Sequence, residues 1–309
     1  MWIMTEHHHS HHTGQRMALS LVITLAFVGV EASAGWFANS LALLSDAGHN
    51  LTDVIALGLA WYAIRLGSRP SSERRTYGYH RAGILAALVN SFTLGLIAVW
   101  IFYEAYQRFQ SPLEVQSGIL IGVGLLAVVV NLGTAWLIHQ DSDHDLNVRS
   151  AFVHLMGDVF STIGATIAGV VILFTGWVWL DALVSALIGG LIFWNALGIL
   201  RETLDILLES TPRDIDMKQM LSDMALIEGV QSVHDVHVWS INQEMRSLSA
   251  HVVAHNILLS DTARIQAELS GLLRQRYHIA HATLQLECVE CQPNVVYCDL
   301  TLHSSSEGR

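Results

Sequence analysis

Two side-chain pairs at one spacing carry the most chemistry in this chain: His49 with Asp53, and His154 with Asp158. In each pair an imidazole and a carboxylate stand at positions i and i+4, which on a helix share a face one turn apart. Two such faces opposed offer two nitrogens and two carboxylates, a tetrahedral set suited to Zn2+. Both pairs lie in apolar runs, Leu41 to Leu66 and Val148 to Phe174, each long enough to cross a bilayer at about 20 residues per span. A lone carboxylate at that depth is costly, whereas two aspartates balance a divalent cation and leave the filled site formally neutral. One pair alone would equally suit a hydrogen-bonded helix contact. The second copy at the same spacing favours an ion site, with a proton relay as the alternative use of the same residues.

The elements that must position these residues are membrane helices. The 309 residues are 52% hydrophobic and only 14% charged, the composition of a polytopic membrane protein. A net charge of −11 argues against nucleic acid as a partner, because phosphate binding needs a basic surface. The three cysteines, Cys288, Cys291 and Cys298, gather near the C-terminus against 17 histidines in the chain, so no disulfide framework is expected and a reducing, cytosolic setting suits that end. The first apolar run follows a polar leader and has no small-residue cleavage site, so no secretory signal is read there.

Six spans are expected, at 17–38, 41–66, 82–106, 117–138, 148–174 and 181–200, the last continuing as helix to Leu208. An even number puts both termini on one side. Arg16, Arg65, Arg69, Arg74, Arg75, Arg81, Arg149 and Arg201 fall near one face and Arg108 alone near the other, so the positive-inside rule makes the termini cytoplasmic. The location expected is the cell's inner (plasma) membrane. Trp36, Trp100, Trp177 and Trp179 fall near span ends as interfacial anchors.

The chain divides into a His-rich leader (1–16, with His7, His8, His9, His11 and His12), a helical membrane domain (17–208), a small α+β domain (209–298) and a tail (299–309). In the α+β part, 214–227 reads as helix, 230–239 as strand, 247–255 as strand after a turn near Asn242, 261–277 as amphipathic helix and 282–287 as strand. His234, His237 and His251 thus fall on neighbouring strands, and Glu287 ends the third. Cys288-Val-Glu-Cys291 has the spacing of half a zinc site, short of the four ligands a structural site needs.

Four stretches carry a resemblance to a known family: Ser40-Leu-Ala-Leu-Leu-Ser-Asp-Ala-Gly-His-Asn-Leu-Thr-Asp53, Tyr77-Gly-Tyr-His-Arg81, Leu146-Asn-Val-Arg-Ser-Ala-Phe-Val-His-Leu-Met-Gly-Asp158 and Val233-His-Asp-Val-His-Val-Trp239. Over about residues 17 to 290 the chain resembles the cation diffusion facilitators, in their zinc-transporter and cobalt-zinc-cadmium resistance branch. The resemblance implies a homodimer of six-helix subunits, each with a cytosolic metallochaperone-like domain, exporting Zn2+ for protons by alternating access. It makes His49, Asp53, His154 and Asp158 the transport site. It also makes His237, His251 and Glu287 ligands of a domain metal, with Cys288 and Cys291 as additions, and pairs His80 with His281 in an interfacial site. The chain departs from the pattern at Gly83, where an acidic residue is common. The loop before span five is cut to His139 and His144, which suggests a bacterial protein.

The function expected is a divalent cation exporter, Zn2+ first and Cd2+ or Co2+ beside it, that trades metal for protons because both compete for the same ligand atoms. A membrane metal sensor and a passive channel are the alternatives. An intramembrane zinc hydrolase is disfavoured, since no His-Glu-x-x-His run occurs and four protein ligands leave no open position for water.

Overall fold

The computed structural model describes residues 6–139, 146–255 and 259–288, with side chains over 22–136, 155–255 and 262–288. Its elements run α1 (Glu6–Ala38), α2 (Leu41–Gly67), α3 (Ala82–Gln110), α4 (Ser117–His139), α5 (Leu146–Thr175), α6 (Trp179–Leu207), α7 (Met217–Ala225), β1 (Val230–Ser240), β2 (Arg246–Ala254), α8 (Leu259–Tyr277) and β3 (Ile279–Glu287). The expected spans all fall within α1 to α6. Helix α1 also takes in residues 6–16, so the backbone of the histidine tract is helical, and α3 runs one turn past the expected end to Gln110. The expected tail lies outside the described residues.

Two compact units result, one of residues 1–63 and 86–200, the other of residues 64–85 and 201–309. The first unit holds the bulk of the six long helices. Helices α3, α4, α5 and α6 are each long and apolar enough to cross a membrane, and α1 contributes the apolar stretch Val22–Ala38. Helix α2 is less apolar because it carries the polar residues of the candidate site. Large side chains point outward along these helices, among them Trp36, Phe92, Trp136, Phe174 and Trp194. Water would penalise such a surface, whereas hydrocarbon accepts it and leaves the backbone satisfied inside each helix.

Inside the unit, small residues let helices approach. Leu94, Ala98, Ile101, Ile188, Ile192 and Ala196 form the contact of α3 with α6, where a Cβ added at Gly189 would meet Ile101 Cγ2 at 3.0 Å. Gly124 of α4 lies against Thr166 of α5, with no room for a side chain. The α1–α2 turn is tight: Asn39 takes the left-handed conformation (φ 51°), which Asn tolerates better than most residues, and Ser40 N donates to Gly35 O at 3.0 Å.

The second unit contains a three-stranded sheet in the order β1-β2-β3, with β1 antiparallel and β2 parallel to β3. A parallel neighbour needs a crossover, and α8 supplies it. Helices α7 and α8 cover one face over a core that includes Met220, Met224, Val236, Val238, Leu248, Val252, Ile265 and Leu269. Helix α7 starts later than the sequence suggests. The Asp216 carboxylate accepts from Lys218 N at 2.9 Å and Gln219 N at 3.2 Å and so caps the helix, two residues after the expected start at Asp214, which instead pairs with Arg246. Strand β3 begins at Ile279, three residues earlier than expected, because pairing with Arg246 extends it.

Candidate metal centres

The first centre forms where α2 meets α5. His49 Nε2 lies 3.5 Å from Asp53 Oδ2 one turn below it, and 3.6 Å from Asp158 Oδ1 on α5. The shared helical face explains the first distance, and only packing explains the second. Asp158 is buried, and the His49 side chain retains 14% of its exposure. His154 stands one turn before Asp158 in α5, and its side chain lies outside the described residues.

Two further carboxyl groups gather beside these residues. Glu31 of α1 is fully buried and accepts from Asn50 Nδ2 at 3.3 Å, while its Oε1 is buried without a hydrogen-bond partner among the described residues. Asp46, one turn before Asn50, is also buried and accepts from Thr162 Oγ1 at 3.1 Å. Thr162 in turn donates to the carbonyl of Asp158 at 2.8 Å, which ties Asp46 to the backbone that presents Asp158. The sequence reading passed over both acids. A signal existed, since an ionisable residue in a membrane helix marks a functional site by default, but neither belongs to the repeated i, i+4 pattern.

The frame of this centre is held from α6. Asp181 accepts from Ser40 Oγ at 2.6 Å and Leu41 N at 2.7 Å, so it caps α2 from a distant part of the chain. Arg108 lies 3.5 Å from the same carboxylate and donates to Asn39 O.

The second centre lies on the face of the sheet opposite the helix-packed core. His234 pairs with His251 across the β1–β2 ladder and His237 with Ser249, with a register shift between them. In a regular strand His234 and His237 would face opposite sides. The bulge inserts one residue, Asp235, in the left-handed conformation (φ 50°), and brings both histidines to one face. His234, His251 and Glu287 then present ligand atoms within 4.8 Å of one another. Glu287 Oε1 is 3.0 Å from His251 Nδ1, Glu287 Oε2 is 3.5 Å from His234 Nε2, and the two imidazoles stand edge to face at 5.2 Å. Both His251 Nδ1 and Glu287 Oε2 are buried without a well-formed hydrogen bond among the described residues, as ligand atoms turned toward an ion would be. Two nitrogens and a carboxylate suit Zn2+.

The grouping differs from the expected set in one member. His237 sits beside the cluster, 3.2 Å from Asp235 Oδ1 and half-exposed, while the three clustered side chains include buried His234. Asp235 also reaches His251 at 3.7 Å, so it bridges the two histidines. Cys288 is exposed, and Cys291 lies outside the described residues. His80 and His281 share no ring contact, hydrogen bond or ion pair; the His281 ring meets Tyr77 edge-on at 6.3 Å instead.

Comparison with known proteins covers nearly the whole chain. Residues 17–208 match the cation efflux transmembrane domain, and residues 212–289 match the cation efflux protein cytoplasmic domain. The chain is 34% identical to a cadmium, cobalt and zinc/H(+)-K(+) antiporter of Bacillus subtilis (strain 168), over 93% of this chain and 96% of that protein. It is 38% identical to the zinc transporter ZitB of Pectobacterium atrosepticum, over 92% of this chain and 90% of that protein. The metal-bound C-terminal domain of the CzcD transporter from Cuprividus metallidurans is a solved structure 29% identical, matched with a TM-score of 0.22 over 24% of this chain and 99% of that one.

Proposed function

From the membership of this chain in the cation efflux family, whose transmembrane and cytoplasmic domains it carries in full order, we propose that it exports divalent metal cations, Zn2+ foremost, in exchange for protons. The observation that carries this reading is His49, held within 3.6 Å of one carboxylate on its own helix and one on α5. With His154 one turn before Asp158, the two helices complete the two-nitrogen, two-carboxylate set that tetrahedral Zn2+ takes. Its near relatives act on zinc, cadmium and cobalt by name, and the same donor set accepts all three.

Metal requires these imidazoles neutral and these carboxylates ionised, so each ion that binds displaces protons and each proton that returns weakens the metal. Alternating exposure of the site, by rocking of α2 and α5 against their neighbours, turns that competition into exchange. In this reading both termini are cytoplasmic, the carrier works as a homodimer in the inner membrane, and the cluster of His234, His251 and Glu287 holds a resident metal ion in the C-terminal domain. That ion would lock β1, β2 and β3 together at their open face.

Proteoliposomes enclosing a zinc indicator test the reading. Uptake should rise when an outward proton gradient is imposed, and Asp158→Ala should abolish it. Uptake that follows the metal gradient alone, indifferent to pH, would identify a passive channel; binding without any flux would identify a sensor.

A further inference from the structure

The second unit has a half-open cavity of about 440 Å³ in which neither metal centre takes part, a size typical of small-molecule sites. Its apolar lining comes from Leu66 at the end of α2, Leu85 in the first turn of α3, Trp239 near the end of β1 and Ile241 just past it. Its polar lining carries Arg75, His80 and Arg81 from the α2–α3 connection, with the Glu209 carboxylate beside Arg81, so the arginines outnumber the single acid. The two guanidinium groups are differently engaged. Arg81 Nη2 lies 2.8 Å from Glu209 Oε1, whereas Arg75 stacks over the Tyr79 ring at 4.3 Å and has no carboxylate within 4 Å among the described residues. A stacked guanidinium keeps its N–H edge available for an anion.

Location and charge identify the occupant. Leu66 and Leu85 belong to helices that continue into the membrane, so the cavity begins where two spans emerge at the headgroup level. The connecting segment from Gly67 to Arg81 contains Arg69, Arg74, Arg75 and Arg81 against Glu73 alone, a basic run of the kind that concentrates anionic lipid at a membrane surface. A soluble anion would satisfy the arginines and leave the apolar wall wet. A zwitterionic lipid would satisfy the wall and set its own cation against Arg75.

We propose that this cavity binds one anionic phospholipid of the surrounding bilayer, its phosphate between Arg75 and Arg81 and the start of its acyl chains along Leu66 and Leu85. The lipid would touch Trp239, five residues from His234 on the same strand, and so link the membrane surface to the strand that carries the domain cluster. The site is independent of the transport reading: it stands on the cavity and its arginines.

Native mass spectrometry of the full-length chain, released from nanodiscs of equal parts phosphatidylglycerol and phosphatidylcholine, tests this. The wild type should retain one phosphatidylglycerol per chain with at least a tenfold preference over phosphatidylcholine. The double variant Arg75→Gln/Arg81→Gln should fall to within about twofold of no preference. Arg69→Gln/Arg74→Gln removes the same charge from exposed positions outside the cavity and should keep the preference, which separates a built site from general attraction and from misfolding. Equal retention of the two lipids by the wild type, or equal loss in both double variants, would overturn the proposal. So would displacement of the retained lipid by millimolar inorganic phosphate, which would make the occupant a soluble anion.

Discussion

Asp181 on α6 accepts the Ser40 hydroxyl at 2.6 Å across 141 residues of chain, and so closes the N-terminus of the helix that carries His49 and Asp53. The first N–H groups of a helix have no intrahelical partner, and hydrocarbon offers no water to satisfy them. The position of α2 is therefore set partly from α6. Asp181→Ala should leave Leu41 N and the Ser40 hydroxyl without their buried acceptor, at a cost of about 2 kcal/mol. The expected result is a lowered melting temperature in detergent together with reduced flux, with Asp181→Asn recovering part of both; thermal unfolding and vesicle uptake measured side by side would check it.

Asp53→Ala and Asp158→Ala should each abolish metal flux, since a divalent ion left with one carboxylate is no longer neutralised in the membrane. His49→Ala should do the same by removing the nitrogen that stands between them. Indicator-loaded vesicles read this directly, and wild-type rates from any of the three would remove the site.

Glu31 accepts from Asn50, the residue next to His49 in α2. Glu31→Gln keeps the volume and one acceptor, and should lower apparent metal affinity for transport by about tenfold, the usual cost of losing an outer partner of a metal site. Concentration dependence of Zn2+ uptake would show it as a shifted half-saturation; an unchanged curve would make Glu31 a purely structural residue.

In the C-terminal domain the geometry distinguishes two histidines that the sequence presents alike. With the membrane site disabled by Asp158→Ala, His234→Ala should weaken residual Zn2+ binding at least tenfold, while His237→Ala should stay within about threefold. Equilibrium dialysis of the full chain compares them, and the reverse order would return the ligand position to His237.

The pair of Asp223 and Tyr277 should give this domain a two-sided pH dependence. The Tyr277 hydroxyl donates to Asp223 at 2.5 Å, and this bond, with the Gln219 amide and Arg276, holds the Asp223 carboxyl below its usual range. A lowered carboxyl contributes stability above its unfolded pKa, and that contribution is lost as pH falls through the acid range. Burial and the same carboxylate push Tyr277 up to about 12, so its contribution is complete below about pH 10 and fades as pH rises toward the shifted value. Tyr277→Phe should flatten both limbs of a stability-against-pH curve followed by denaturant unfolding.

Much of this protein is legible in one dimension because short-range geometry is periodic. Helical spacing alone puts His49 over Asp53 and His154 over Asp158, apolar length alone marks the spans, and strand alternation with an intervening amphipathic helix yields the β1-β2-α8-β3 order. The misplaced edges, Asp216 as the cap of α7 and Ile279 as the start of β3, depend on which partner a side chain or strand finds.

What the tertiary structure alone decided are the relations between positions far apart in the chain. Helix packing brings Asp158 to His49, adds Glu31 and Asp46 beside them and sets Asp181 over Ser40. Strand pairing sets His234 against His251 and Glu287, and a single extra residue in β1 turns His237 to the same face beside them. Such choices turn on bulges and helix crossings, where an ångström or one residue changes which side chains meet, and no local pattern records them.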